Sequence, residues 1–357
     1  MGRLLMKIKT KALETGLGKK LRNAKVKAAF TAEIAKEWAK KGYSGKYNSD
    51  RINEIAKDML HEAKYHTVGF DEYIMYHFDE KTEEERREFI PTRERAEFCE
   101  LMNDPSNQIV FDDKGETYRV FKKFYNRDLS EVLHFSKKEK QLFEEFIKKH
   151  PRFIIKPFNG GNGRGISILE SGKYGSFDAF WSFLKEQYKG GFVAEELIVQ
   201  SDELGQFHVE SVNTLRIATI RTPNRVYIIH PTWRVGRGNS VVDNGGSGGI
   251  FCGLDESGTI VSTCDEKGNQ YIIHPDSQLS LIGFTIPHFE EAKKLALELA
   301  DVVPSNNYCG WDLALTNNGW IMQEGNWQGG FVPWQSTAQK GFRSELMVLL
   351  KEMGKIK

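Results

Sequence analysis

No stretch of this 357-residue chain comes near the roughly 18 consecutive apolar residues that a membrane-spanning helix needs. The N-terminus also lacks the apolar core of a secretory leader. The sequence therefore predicts a soluble protein of the cytoplasm. Cysteine is scarce: Cys99, Cys252, Cys264 and Cys309 lie far apart with no C-x-x-C spacing, so they are expected to be buried thiols in a reducing compartment. Charge of one sign is lacking too, with 50 Lys+Arg against 49 Asp+Glu, and no global field favours nucleic acid. No internal repeat or low-complexity tract breaks the chain. A Walker A loop, a Rossmann turn and a Ser-His-Asp set are likewise missing.

Charge balance hides one local excess. Residues 1–30 carry nine basic side chains against one acid, Glu14. Such a segment is either a solvated helical arm or a weak contact for an anionic membrane surface.

Residues 1 to about 105 are expected to be helical, since 31–38 and 50–60 place apolar residues three and four apart. Thr82 followed by Glu83, Glu84 and Glu85 opens another helix with acids in its first turn. A further helical stretch starts at Phe111-Asp112-Asp113-Lys114, and another runs from Ser136 to Lys149. From Pro151 onward, short β-like runs at 153–156, 166–169, 192–194, 215–220 and 226–229 alternate with Gly, Asn and Pro. Helical insertions interrupt them at 177–188 and 289–302. The fold class is α+β, divided as 1–105, 106–200 and 201–345.

The most informative segment is a hairpin. Gly310 to Leu315 and Trp320 to Asn326 read as strands joined at Asn317-Asn318-Gly319. Alternation puts Glu324 and Asn326 on one face, and the hairpin can bring Asp312 beside them. Two carboxylates and an amide oxygen are hard ligands suited to Mg²⁺. The same residues would equally serve as the wet face of an ordinary hairpin.

Lys156 is followed by a loop containing Gly160, Gly161, Gly163 and Gly165, which lets backbone N–H groups approach an anion or simply makes a turn. Phe192 to Ile198 is an apolar strand running into Glu195, Glu196 and Leu197, then into Asp202 and Glu203. That arrangement fits an adenine hinge with a ribose-binding acid, or an edge strand ending in a polar loop. Arg216 and Arg234 lie in β-runs and need anionic partners, either substrate or structural carboxylate. A second glycine-rich loop, starting at Asp243 and Asn244, is read as a substrate cover.

In this order the blocks resemble the ATP-grasp superfamily, which includes D-alanine–D-alanine ligase and glutathione synthetase. The closest likeness is to its sugar-transfer-associated branch. It is carried by Val212–Ile217, His230–Gly236, Val242–Gly245, His274–Ser277 and Gly310–Asp312, and it spans about residues 65–340. The resemblance implies two α+β lobes gripping ATP, with Lys114 and Lys156 on the phosphates and the loop from Gly160 to Gly165 closing over them. Glu195, Glu196 and Leu197 would hold adenine, and Asp202 or Glu203 the ribose. Asp312, Glu324 and Asn326 would bind Mg²⁺, with Glu324 bridging two ions and Mn²⁺ able to substitute. Arg216, Arg234 and Lys156 would be catalytic. Asp243, Asn244 and His274 would touch substrate, with His208 a further candidate.

One departure stands out. The named ligases carry an arginine two residues before the metal-binding aspartate, and here that position is Gly310. The implied activity is a carboxylate–amine ligation through an acyl phosphate, on a sugar acid, amino sugar or cell-surface glycan precursor. Phosphorylation of a hydroxyl by the same fold is the alternative that Gly310 keeps open. A nucleotide-binding membrane-surface adaptor without turnover is the other.

Overall fold

The computed structural model describes residues 24–158 and 165–357, with the side chains of 24–30 left out. The side chains of the basic arm at 1–30, and the loop glycines Gly160, Gly161 and Gly163, lie outside the described residues.

The chain begins in helices: α1 Ala24–Gly42, α2 Ser49–Tyr65, α3 Phe70–Met75, α4 Glu83–Glu88 and α5 Thr92–Met102. In α2 the buried residues Ile52, Ile55, Ala56 and Met59 recur at helical spacing. Each large apolar side chain so buried contributes about 1.5–3 kcal/mol. Asn48 caps α2 by accepting from the Arg51 N–H at 2.9 Å. Thr82 and Glu85 form a reciprocal capping box on α4. The first three of these helices share a core with Cys264 of the large sheet, and Cys99 and Met102 of α5 join a second core with Ala218 and Tyr308, so the N-terminal region is packed against the body.

Next come α6 Gln108–Asp112 and α7 Lys114–Tyr125, separated by Asp113, whose carboxylate caps α7. Phe111, Phe121 and Phe124 from this pair enter the core of the large sheet.

The first sheet is built from β1 Leu129–Val132, β2 Arg152–Pro157, β3 Ser167–Glu170 and β4 Phe192–Glu196, in the antiparallel order β1-β4-β2-β3. Helices α8 Lys137–Lys149 and α9 Phe177–Gln187 cover one face. Phe143, Phe153, Phe180 and Phe192 fill the space between them and the strands. Period-two alternation in β2 buries Phe153 and Ile155 there and leaves Ile154 and Lys156 on the opposite, cleft-lining face.

A short helix, α10 Asp202–Gly205, leads to the second sheet. Its strands are β5 Leu215–Arg221, β6 Val226–Val235, β7 Ile250–Leu254, β8 Ile260–Cys264, β9 Tyr308–Thr316 and β10 Gly319–Asn326, in the order β10-β9-β5-β6-β7-β8. Helix α11 Phe289–Ala300 packs Ala292, Ala296 and Leu299 into a core with Ile217, Trp311 and Leu313. On the reverse face, α12 Val332–Ala338 and α13 Arg343–Glu352 cover Ala218, Ile220 and Tyr308. Along those strands the next inward residues, Arg216 and Asp312, fall beyond the apolar cover and face the cleft. No helix among the described residues is long and apolar enough to cross a membrane.

Candidate active site

A cleft of about 1480 Å³ has walls from both sheets and from the N-terminal helices. Its floor is the exposed end of β5, β9 and β10. Asp312 on β9 stands opposite Arg216 on β5 and opposite Glu324 on β10, and Asn326 stands opposite Gly310. Residues directly opposite in an antiparallel ladder share a face, so these groups converge.

A β-bulge makes this alignment possible. The ladder steps from the Met322–Leu313 pair to the Glu324–Asp312 pair, and Gln323 is the extra residue. An uninterrupted register from the Asn317-Asn318 turn would have put Gln323 opposite Asp312. Arg127, just after α7, holds the bulge by donating to the Met322 carbonyl at 2.7 Å and the Gln323 carbonyl at 3.0 Å. The same guanidinium pairs with Glu195 at 3.0 Å. Arg127 thus ties β4 to β10.

Asp312 is buried and paired twice. Arg216 donates to both of its oxygens, through Nε to Oδ1 and through NH2 to Oδ2 at 2.9 Å, and Arg234 reaches Oδ2 at 3.0 Å. Burial would raise this carboxyl, but the two guanidiniums outweigh it and hold it below the usual range. Glu324 behaves oppositely. Cleft solvent reaches its side chain, yet protein surrounds it closely, and burial together with the Asp312 charge pushes its carboxyl up. Asn326 turns Nδ2 toward Asp312 Oδ2 and the Gly310 carbonyl, each at 3.3 Å, so Oδ1 is its free end for a metal. The set fits Mg²⁺: two carboxylates and an amide oxygen, with one carboxylate disfavoured as an anion until a cation compensates it.

Arg234 is itself positioned by a buried network. It donates to Thr214 Oγ1 at 2.6 Å and lies 3.5 Å from Asp243, which accepts from the Thr214 N–H at 2.9 Å. Asp243 lines the cleft, but both its hydrogen bonds go to Thr214, so it supports Arg234. Asn244, next to it, also lines the cleft and begins the turn Gly245–Ser247. Gly249 is required there, because a Cβ would meet the Asp243 carbonyl at 2.0 Å.

Another part of the cleft is lined by Lys114 at the start of α7, by Lys156, and by Glu195, Glu196 and Leu197, the residues that the sequence assigns to nucleotide. Lys156 Nζ donates to Glu195 Oε1 at 2.8 Å. Burial works against the Glu195 charge, but Lys156 and Arg127 hold its carboxyl down to about 2. Its side chain therefore positions the lysine. The Glu196 carboxylate accepts from the Asp128 N–H at 2.9 Å. Gly165, the described end of the glycine loop, has φ +75°, and a Cβ there would meet the Pro157 ring at 2.7 Å.

Three sequence expectations are corrected. Asp202 lines the cleft but Glu203, one residue on, does not. His274 is fully buried outside the cleft, with one ring nitrogen 2.8 Å from the Gly236 carbonyl and the other facing the Asp276 and Ser277 N–H groups. His208 is similarly engaged, with Ser211 Oγ and the Gly238 carbonyl each at 3.0 Å. Both histidines brace loops and neither is placed to touch substrate.

With this geometry in view, comparison with known proteins is decisive on one point. A model of the sugar-transfer associated ATP-grasp family matches residues 93–351. The chain belongs to that family. Its α+β architecture of two sheets around a cleft is thus the ATP-grasp fold. No curated protein matches. Among solved structures, D-alanyl-alanine synthetase A from Vibrio cholerae is 10% identical with a TM-score of 0.46, over 70% of this chain and 67% of that one. D-alanine–D-alanine ligase from Bacillus anthracis is 13% identical at 0.42, over 73% and 74%. ATP-grasp ligase PsnB, solved with a precursor variant, Mg and ADP, is 13% identical at 0.43, over 70% and 62%. The chain thus spans under two thirds of the length of PsnB.

Sequence reasoning missed Arg127 and the Gln323 bulge in this ATP-grasp chain. Arg127 sits in a polar turn, Asn126-Arg127-Asp128, with no pattern to mark it. Nothing in Met322-Gln323-Glu324 announces an extra residue.

Proposed function

We propose that this ATP-grasp protein is an ATP- and Mg²⁺-dependent carboxylate–amine ligase working through an acyl phosphate. The observation that carries the proposal is the convergence of Asp312, Glu324 and Asn326 with two arginines on one sheet face, in a cleft that Lys114 and Lys156 also line. Bound Mg²⁺ would supply Lewis-acid stabilisation of phosphoryl charge at Asp312, Glu324 and Asn326.

The chain's own groups do the rest. Lys114 and Lys156 hold nucleotide phosphates, and the Glu195–Leu197 backbone seats adenine, with Asp202 at the ribose. A substrate carboxylate attacks the γ-phosphorus in line, ADP leaves, and an acyl phosphate forms. An amine then attacks the acyl carbon and phosphate departs. Arg216 and Arg234 face the charge that develops in both steps.

Gly310 bears on the choice between ligase and kinase. A Cβ there would lie 3.4 Å from Arg216 Cδ and 3.5 Å from its NH1. Arg216 thus brings a guanidinium over the backbone position that has no side chain of its own. That supports the ligase reading, with Arg216 in the part of the absent arginine. The proposed substrates are a sugar acid, an amino sugar or a glycan precursor, and the proposed location is the cytoplasm, with residues 1–30 in contact with anionic membrane.

The test is to incubate the protein with MgATP, pooled carboxylates and hydroxylamine. The ligase should release phosphate and form hydroxamate. Phosphate transfer to a hydroxyl without any hydroxamate would make it a kinase.

A further inference from the structure

Four arginines line the cleft: Arg95, Arg152, Arg216 and Arg234. Three have carboxylate counter-ions, with Arg152 reaching Glu170 at 3.9 Å and Arg216 and Arg234 sharing Asp312. Among the described residues Arg95 has no carboxylate within ion-pair distance, and its buried Nε has no acceptor. A cation kept in a cleft without a counter-ion is costly unless an anion arrives.

Two acids close to it in the chain or on the cleft wall, Glu94 and Glu72, are committed elsewhere. Glu72, which also lines the cleft, spends one oxygen on the Thr92 N–H and hydroxyl at 2.7 and 2.8 Å and the other on the Gly69 N–H at 2.8 Å. Glu94 pairs with Arg343 at 2.7 Å. Arg95 itself is fixed, because NH1 donates to the Gln328 carbonyl. That bond lays the guanidinium beside Gly330, where a Cβ would come within 3.9 Å of NH1. Gly329, the preceding residue, packs against Gly310, which lies under Arg216. A glycine floor therefore connects the two arginines, open to a small or flat anionic group.

We propose that Arg95 anchors the anionic group of the substrate that accepts the phosphoryl group, holding it over Gly329–Gly330 with its carboxylate toward Arg216. The proposal rests on the ligase reading and extends the site to α5, a helix the sequence reading left without chemistry. It makes Arg95 a substrate-binding residue that discriminates against carboxylates lacking a second anionic group, so dicarboxylic acids should be preferred over uronic acids and amino acids of similar size.

The test compares wild-type, R95K and R95Q full-length protein in the hydroxamate assay, with pools of uronic acids, amino acids and dicarboxylic acids. Losing a charge-assisted contact should raise the half-saturating carboxylate concentration about tenfold or more in R95Q. The maximal rate should stay within about threefold, as expected for lost ground-state binding. Half-saturation by MgATP should not change, and R95K should recover part of the loss. If R95Q melts early, R95K against wild type makes the same comparison on a milder scale. An unchanged carboxylate half-saturation, or a loss confined to the maximal rate, would overturn the anchor while leaving the ligase standing. No hydroxamate from wild-type protein with any pool would overturn the ligase reading and the anchor with it.

Discussion

Arg216 and Asp312 face each other across the β5–β9 ladder, joined by two parallel hydrogen bonds from guanidinium to carboxylate. Both are buried, and Arg234 makes a second ion pair to the same carboxylate. The proposed metal-ligand aspartate and the two proposed phosphoryl-stabilising arginines are therefore one electrostatic unit.

That unit predicts a large cost for removing its centre. Asp312→Asn should lose turnover and also destabilise the fold by about 3–5 kcal/mol, because buried Arg216 loses its counter-ion and Arg234 keeps only the longer pair to Asp243. Chemical denaturation would show this as a lower midpoint. A double variant, Asp312→Asn with Arg216→Met, should lose less than the sum of the two singles. Additive losses would mean that the pair is not coupled.

Glu324 should respond to pH and metal together. Its carboxyl is raised in the folded state, so ionising it opposes folding. Stability of the metal-free protein should fall as pH rises from the ordinary glutamate range through the raised folded value. Mg²⁺ should restore it. Glu324→Gln should stabilise the metal-free protein at neutral pH and abolish the Mg²⁺-dependent shift in melting temperature. A variant that still shifts with Mg²⁺ would remove Glu324 from the metal set.

Glu195 has the opposite sign. Lys156 and Arg127 outweigh burial and hold its carboxyl near 2. Its stabilisation should be complete above the ordinary glutamate value and drain away as pH falls from there toward about 2. Glu195→Gln should flatten that acid limb and weaken MgATP binding by freeing Lys156. An unaltered acid transition in the variant would contradict the assignment.

Two glycines on the floor should differ in tolerance. A Cβ at Gly310 meets its nearest neighbours at 3.4 Å, an ordinary contact, whereas one at Gly329 meets Gly310 Cα and the Tyr308 hydroxyl at 3.1 Å. Gly310→Ala should change stability by less than about 1 kcal/mol, and Gly329→Ala should cost about 1–3 kcal/mol through overpacking. Thermal unfolding would rank them, and the reverse order would count against the packing described.

The basic arm yields a simpler prediction. Full-length protein should sediment with anionic liposomes more than a 31–357 truncation does. Identical partitioning would remove the membrane contact.

Much of the site was legible because its residues lie in local patterns. The Asn317-Asn318-Gly319 turn and alternation on β10 mark Glu324 and Asn326 as one face of a hairpin whose partner strand carries Asp312. The register that sets Asp312 opposite Glu324 nevertheless needs the bulge at Gln323. A charged residue near the end of β2 marks Lys156. What escaped depends on contacts distant in sequence. Arg127 is given its role by Glu195 and by the bulge at Gln323, neither of which is near it in the chain. The histidines were open for the same reason, since each fits a loop brace as well as a substrate contact in the sequence. His274 looks like a ligand in sequence, and only the Gly236 carbonyl 38 residues away shows it to be structural.

The central claim is an acyl phosphate formed at the Asp312–Glu324–Asn326 face. The most direct measurement uses a carboxylate substrate labelled with heavy oxygen, followed by mass analysis of the phosphate released. Ligation through an acyl phosphate predicts one heavy oxygen moved from carboxylate to phosphate per turnover. Phosphate free of the label, or label retained in a phosphorylated hydroxyl product, would contradict it.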